Sequence, residues 1–221
     1  MYRVEELLDL EHTGAKEYLM SFEYPNEAIK GIKDFILEYG KTLSKDEYDE
    51  VYDGVWVSKS ATIAPTAFLG SPCIVGPETE IRHCAFIRGA AFIGKGVVVG
   101  NSVELKNVIL FDGVQVPHYN YVGDSILGYK AHMGAGSITS NVKSDKTDVV
   151  IHDFDGNHII TNMQKMGAIL GDYAEIGCNS VLNPGTIVGR NTNVYPLSSV
   201  RGVIPEECIY KDKNNIIRKC D

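Results

Sequence analysis

Apolar side chains recur along this chain with a period of six. Stepping by six from Val57, the positions read Ile63, Leu69, Val75, Ile81, Ile87, Ile93, Val99 and Leu105, nine aliphatic residues without interruption. An amphipathic helix repeats near 3.6 residues and a half-buried strand near 2, so neither explains this spacing. A period of six calls for two or three extended residues and a sharp bend, used again and again. Glycine often follows the aliphatic position, as at Gly76 and Gly94, and is read as supplying freedom at the bend. Each hexapeptide then forms one side of a triangle and three of them form one coil. Coils stack at about the 4.8 Å spacing of paired parallel strands.

The register slips by one at Leu110, Val116 and Val122, and again at Leu127 and Met133, which five-residue steps at corners absorb. A second run follows at Leu170, Ile176, Leu182, Val188, Val194 and Val200. The expected fold is therefore an all-β, single-stranded parallel β-helix; hexapeptide coils form a left-handed class that departs from the right-handed crossover rule. Residues 142–166 break the repeat with VVIHD, the turn Phe-Asp-Gly-Asn and HIITN, which predicts an extruded hairpin. A second hairpin is expected in the tail, Cys208 to Tyr210 against Ile216 to Arg218. Upstream, Asn26 is a candidate cap for a helix with Ile29, Ile32, Ile36 and Tyr39 on one face and Gly40 as its stop. The expected organisation is a helical segment over 1–50, the coil over 51–205 and a terminal hairpin over 206–221.

Composition narrows the function. Apolar residues at 44% and charged residues at 23% are ordinary for a soluble protein. A formal charge of −8 without any Lys/Arg run argues against nucleic acid as a partner. The opening MYRVEELLDLEH lacks the order of a signal peptide, and no stretch reaches the length of a membrane span. A cytoplasmic protein without a membrane partner is expected. Cys73, Cys84, Cys178, Cys208 and Cys220 are odd in number and lack CxxC spacing, so they are read as reduced thiols.

Residues 117–142, PHYNYVGDSILGYKAHMGAGSITSNV, are too polar and aromatic for a bare coil. The His-x-x-Tyr-x-Gly-Asp motif, the following Gly-Ala-Gly, a later Asn and the stretch KMGAILGDYAEIGCNSVLNPG carry a resemblance. They resemble the acetyltransferase half of the bifunctional bacterial and archaeal enzymes that make UDP-N-acetylglucosamine. The likeness spans roughly residues 60–200 and leaves residues 1–50 outside it.

The resemblance implies transfer of an acetyl group from acetyl-CoA to the amine of an amino-sugar 1-phosphate, without a metal, in a homotrimer with sites between subunits. It places the general base on His118 and an orienting carboxylate on Glu104. The backbone N–H facing the developing oxyanion falls on Ala135, substrate-binding positions fall on Tyr121, Asn141 and Lys165, and two cationic positions fall on Arg88 and Lys106. Those two stand 18 residues apart, one full coil, which predicts a stacked pair suited to a phosphate. Cys178 falls near the thioester, where the bacterial enzymes have Ser. His132 replaces their Asn and Val142 their Tyr, both on the sugar side. The Gly-rich x-Gly-Thr-Arg loop of their nucleotidyltransferase half is absent.

Other readings stay open. The acceptor could be another amino sugar or a nucleotide-linked one, or the coil could be a non-catalytic trimeric scaffold with the helical segment binding another protein. One class of carbonic anhydrase uses this coil with three zinc-binding histidines, but position 123, where the third would stand, is Gly. His83, His152 and His158 belong to no motif, and His118, Arg88, Lys106, Tyr121 and Asn141 each have a bland alternative as surface, packing or turn residues.

Overall fold

A computed structural model describes residues 1–219 of the chain; Cys220 lies outside the described residues. Short parallel strands stack into a left-handed triangular coil whose inner wall is the aliphatic ladder. Val75, Ile81, Ile87, Ile93, Val99 and Leu105 are at most 1% exposed, and Leu170, Ile176, Leu182, Val188, Val194 and Val200 at most 3%. Only Ile63 and Leu69, in the first coil, are partly open, because no coil lies beneath them.

The first face is built from Val55–Ser58, Cys73–Val75, Ala91–Ile93, Ala168–Leu170 and Thr186–Val188, together with the second halves of Glu104–Leu110 and Tyr121–Leu127. The second runs through Thr62–Ile63, Glu80–Ile81, Val98–Asn101, Gln115–His118, His132–Met133, Glu175–Ile176, Asn193–Val194 and Cys208–Asp212. The third runs through Phe68–Leu69, Phe86–Ile87, the first halves of Glu104–Leu110 and Tyr121–Leu127, then Ile138–Thr139, Val181–Leu182 and Ser199–Val200. Those two seven-residue strands bend around the corner from the third face to the first, which pins the register of both.

The corners correct the reading of the glycines. The bend in this stretch falls on residues with positive φ such as Glu78, Cys84, Ala90, Ser102, Tyr119 and Asp124, of which Glu78 and Ser102 stand two positions after Gly76 and Gly100. Gly76 and Gly100 serve close approach instead. A Cβ on Gly76 would stand 2.4 Å from the Gly94 carbonyl oxygen, and one on Gly100 would stand 1.5 Å from that of Pro117. At these two positions stacked coils select glycine by close approach of one coil to the next, whereas corner glycines such as Gly96 and Gly136 do use their dihedral freedom, with positive φ.

The amino-terminal segment wraps the first face. Short helices Val4–Leu7, Lys16–Leu19 and Ile32–Gly40 alternate with 3₁₀ turns at Leu10–His12 and Pro25–Gly31, and a strand follows at Tyr48–Tyr52. Asn26 does not cap a helix: Tyr24 holds the cap position, Pro25 opens the 3₁₀ turn, and Asn26 is buried within it. Proline's fixed φ suits that first position, which moves the start of the turn one residue earlier. Leu7, Leu8, Leu19, Ile29, Ile32 and Ile36 are at most 2% exposed, each contributing about 1.5–3 kcal/mol relative to exposure. Phe35 and Tyr39 pack on Phe92 with ring centroids 5.5 and 5.7 Å away.

The extruded segment carries the hairpin Val150–His152 with His158–Ile160, and the tail carries Cys208–Asp212 with Asn215–Arg218, both antiparallel. Tyr2 packs edge-on against Phe154 of the extruded turn at 5.8 Å, and the Met1 amino group pairs with Asp153. Among the described residues no helix is long and apolar enough to cross a membrane.

Candidate active site

His118 ends the strand Gln115–His118 at the corner between the second and third faces, and its side chain is exposed. The corner is rigid for a specific reason. Asn120 is 2% exposed, donates to the carbonyls of Gly134 at 2.9 Å and Ser137 at 3.0 Å, and accepts the His118 backbone N–H at 3.1 Å. One coil below, Asn101 is the register partner of His118, and its Oδ1 lies 3.4 Å from the imidazole Nδ1. One coil above stands Ala135, because Gln115 pairs with His132 and the Gly136 N–H donates to the His118 carbonyl at 3.0 Å. Among the described residues no acceptor pairs with the Ala135 N–H. Cys178 is next in the same column, exposed, with the Asn179 N–H donating to the Ala135 carbonyl at 2.9 Å.

Glu104 stands elsewhere. It is the register partner of Tyr121, on the third face, and its carboxylate takes the Arg88 guanidinium at 3.0 Å. The positive-φ corner at Ser102 turns the chain between Asn101 and Glu104, so the residue beneath the imidazole is the amide and not the carboxylate.

The far edge of the third face, one face width away or roughly 10 Å for three extended residues, gathers the remaining polar groups. Arg88 and Lys106 do stack one coil apart, with the Arg88 N–H donating to the Leu105 carbonyl at 2.8 Å. They do not form an unopposed cationic pair. Lys106 Nζ lies 2.8 and 3.1 Å from the two carboxylate oxygens of Asp124, and Arg88 is held by Glu104, so each positive charge has its own partner. Asp124 is 3% exposed and also accepts from Asn107 Nδ2 at 2.9 Å and Asn141 Nδ2 at 2.5 Å. Asn141 donates in addition to the Tyr121 hydroxyl at 3.1 Å. Burial, reinforced by the Asp124 and Glu104 carboxylates, pushes the Tyr121 hydroxyl above its ordinary value, so it remains a protonated donor.

Lys165 is exposed and reaches this edge through the backbone: it bridges Val142, and the adjacent Met166 N–H donates to the Asn141 carbonyl at 3.0 Å. The extruded segment thus leaves and returns beside Asn141. His132 Nδ1 is engaged by Glu175 Oε2 one coil above at 2.7 Å. Asn101, Asn107, Asn120 and Asp124 escaped the sequence reading. Asp124 lies within the His-x-x-Tyr-x-Gly-Asp motif itself, whereas Asn101 lies 17 residues before His118, a spacing that becomes one coil only once the register slip is known.

Fold and site define a left-handed hexapeptide β-helix with a polar cluster across one outer face. The chain belongs to the family described as the GMPPB C-terminal domain, whose sequence model matches residues 71–217. It is 31% identical to the bifunctional protein GlmU of Methanococcus vannielii, over 69% of this chain and 34% of that protein. It is 30% identical to a bifunctional sugar-1-phosphate nucleotidylyltransferase/acetyltransferase of Sulfurisphaera tokodaii, over 42% of this chain and 23% of that protein. Matched to the GlmU of Brevibacillus brevis it is 25% identical over 98% of this chain and 50% of that protein. The chain thus spans half or less of the length of these curated relatives. Among solved structures, a putative acetyltransferase of Bacillus cereus is 20% identical, covers 75% of this chain and 77% of its own, and has a TM-score of 0.41.

Proposed function

We propose that the chain is an acyltransferase that moves an acetyl group from acetyl-CoA to the amine of an amino-sugar 1-phosphate resembling glucosamine 1-phosphate. The observation that carries the reading is one column at one corner: Asn101, His118, Ala135 and Cys178 in successive coils, opening onto a face edged by Tyr121, Asn141 and Asp124. Asn101 Oδ1 can only accept, so a neutral His118 donates its Nδ1–H there and keeps Nε2 as the base. That nitrogen takes the proton from the amine as its lone pair attacks the thioester carbonyl carbon. The C–S bond breaks, and the proton passes to the departing thiolate, leaving an amide and the free thiol. The Ala135 N–H donates to the carbonyl oxygen as charge builds on it, a task for which a backbone donor suffices.

Arg88, Lys106 and Lys165 receive the phosphate, with Glu104 and Asp124 giving up part of their hold as it enters. The Sulfurisphaera tokodaii relative, a bifunctional sugar-1-phosphate nucleotidylyltransferase/acetyltransferase, joins these two chemistries in one protein and supports this acceptor class. Coenzyme A runs along the coil past Cys178 between subunits of a trimer. A second reading has one observation in its favour: Arg88 and Lys106 are already neutralised within the chain, which suits an acceptor whose phosphates lie farther from the amine, such as a nucleotide-linked amino sugar.

Acetyl-CoA is mixed with the protein and a panel of both acceptor classes while thiol release is followed. Turnover is expected with an amino-sugar 1-phosphate, and His118→Ala is expected to be at least about a hundredfold slower, the scale for loss of a general base. Equal rates in the two proteins refute the assignment, and no turnover with any acceptor favours the scaffold.

A further inference from the structure

Both ends of the coil finish in a strand with one edge open. Tyr48–Tyr52 pairs only with Val55–Ser58 at the lower end, and Asn215–Arg218 pairs only with Cys208–Asp212 at the upper end. An unpaired strand edge presents a row of backbone donors and acceptors, which soluble proteins commonly cover or block. Here neither edge is covered among the described residues, and the two are opposite in character. The lower strand lies in an acidic run with Glu47, Asp49, Glu50 and Asp53 exposed, while the upper one is flanked by the exposed Lys213 and Arg218, with the exposed Asp212 beside them. Glu47, Asp53, Lys213 and Arg218 have no ion-pair partner among the described residues.

Apolar surface matches too. Val51 and Tyr52 are 45% and 69% exposed and line a cavity of about 580 Å³ with Val57, Ile63 and Phe68. At the other end Ile216 and Ile217 are 39% and 43% exposed. Successive residues of a strand face opposite sides, so one of these two isoleucines can enter that cavity while its neighbour faces away.

We propose that the upper strand Asn215–Arg218 of one copy adds to the lower strand Tyr48–Tyr52 of a second copy, continuing the sheet from one molecule to the next. Each outer strand runs opposite to the coil strands, so two copies stacked in the same sense bring the pair together in parallel. The lower strand flanks the first face and the upper one the second, so each added copy is turned by about a third of a revolution, one corner of the triangle. Such a contact is heterologous and does not close on itself, giving an open screw. The four- to five-residue strands make a small, weak interface, favoured by low salt because its charges are exposed.

The test is sedimentation velocity of the intact chain from about 5 to 500 μM at low and high salt, a range suited to weak contacts. Mass is expected to rise continuously with concentration above that of the unit seen when dilute, and to rise less in high salt. Val51→Lys and Ile217→Lys each place a lysine on one open edge, and each is expected to weaken the growth at least tenfold with an unchanged melting curve. Mixed together, they retain one good edge per chain, and the mixture is expected to join through that edge although neither variant grows alone. A mass independent of concentration overturns the proposal. So does loss of growth in one variant only, or a mixture that fails to join.

Discussion

Asp124 and Asp172 invite comparison because they are built alike. Each follows a glycine, each is at most 3% exposed, and each meets a cation from a neighbouring coil, Lys106 at 2.8 Å and Arg190 at 3.2 Å. They differ in their remaining donors. Asp172 accepts the backbone N–H groups of Asp9 at 2.7 Å and Tyr129 at 2.8 Å, which ties the amino-terminal wrap to the coil. Among the described residues the Asp124 carboxylate accepts only from side chains, those of Lys106, Asn107 and Asn141. Backbone donors are fixed by the fold, whereas side-chain donors can turn toward an incoming ligand. One carboxylate is therefore an anchor and the other a hub that can exchange partners.

The largest expected effect breaks the anchor. Asp172→Ala leaves a part-buried guanidinium and two amides without their acceptor, and should lower the unfolding free energy by about 3–5 kcal/mol in urea titration. The acetyl-transfer rate per folded molecule should stay unchanged; a parallel loss of rate would merge the two roles.

Asp124→Asn keeps the shape and removes the charge that orders Lys106 and Asn141. A fall of about 10- to 100-fold in kcat/KM is expected, about 1.4–2.8 kcal/mol of barrier, with little change in melting temperature. A large loss of stability at unchanged rate would make Asp124 a second anchor.

Acid sharpens the contrast. Burial raises the Asp172 carboxyl above its ordinary 3.8 despite its amide partners and Arg190. A raised folded value contributes stability that is fully present below 3.8 and lost as pH rises through that folded value. The difference in unfolding free energy between wild type and Asp172→Asn should thus be most favourable to wild type below 3.8 and decline above it. Chemical denaturation at stepped pH reads this directly, and a difference that grows with pH would contradict it.

The smallest effect belongs to the exposed pair. Arg88→Met should change stability by no more than about 1 kcal/mol, the range of surface ion pairs. It should raise KM several-fold for an acceptor carrying a 1-phosphate. An unchanged KM would favour the nucleotide-linked acceptor.

Much of this architecture was readable because a coil has one short period. Nine residues in step from Val57 define the inner wall, and the tail hairpin pairs Cys208 with Arg218 and Tyr210 with Ile216 as the pattern implies. His118 and Asn141 stood out through a motif. What escaped were relations across coils. The resemblance implies Glu104 as the partner of His118, whereas the fold puts Asn101 there, three residues earlier, because a corner between them is invisible as spacing. The two cations read as a bare pair because Asp124 meets Lys106 only through the corner that Asp124 itself forms with its positive φ.

The sequence alone determined the repeating unit and therefore the coil, since inward-facing positions every six residues have one way to be buried together. Tertiary structure decided which face the amino-terminal helices cover, which groups neutralise Arg88 and Lys106, and which amide faces the imidazole. The reason is physical: burial follows from local pattern, whereas pairing between coils depends on a register set by single-residue slips, and one residue at a corner moves a side chain to a different face.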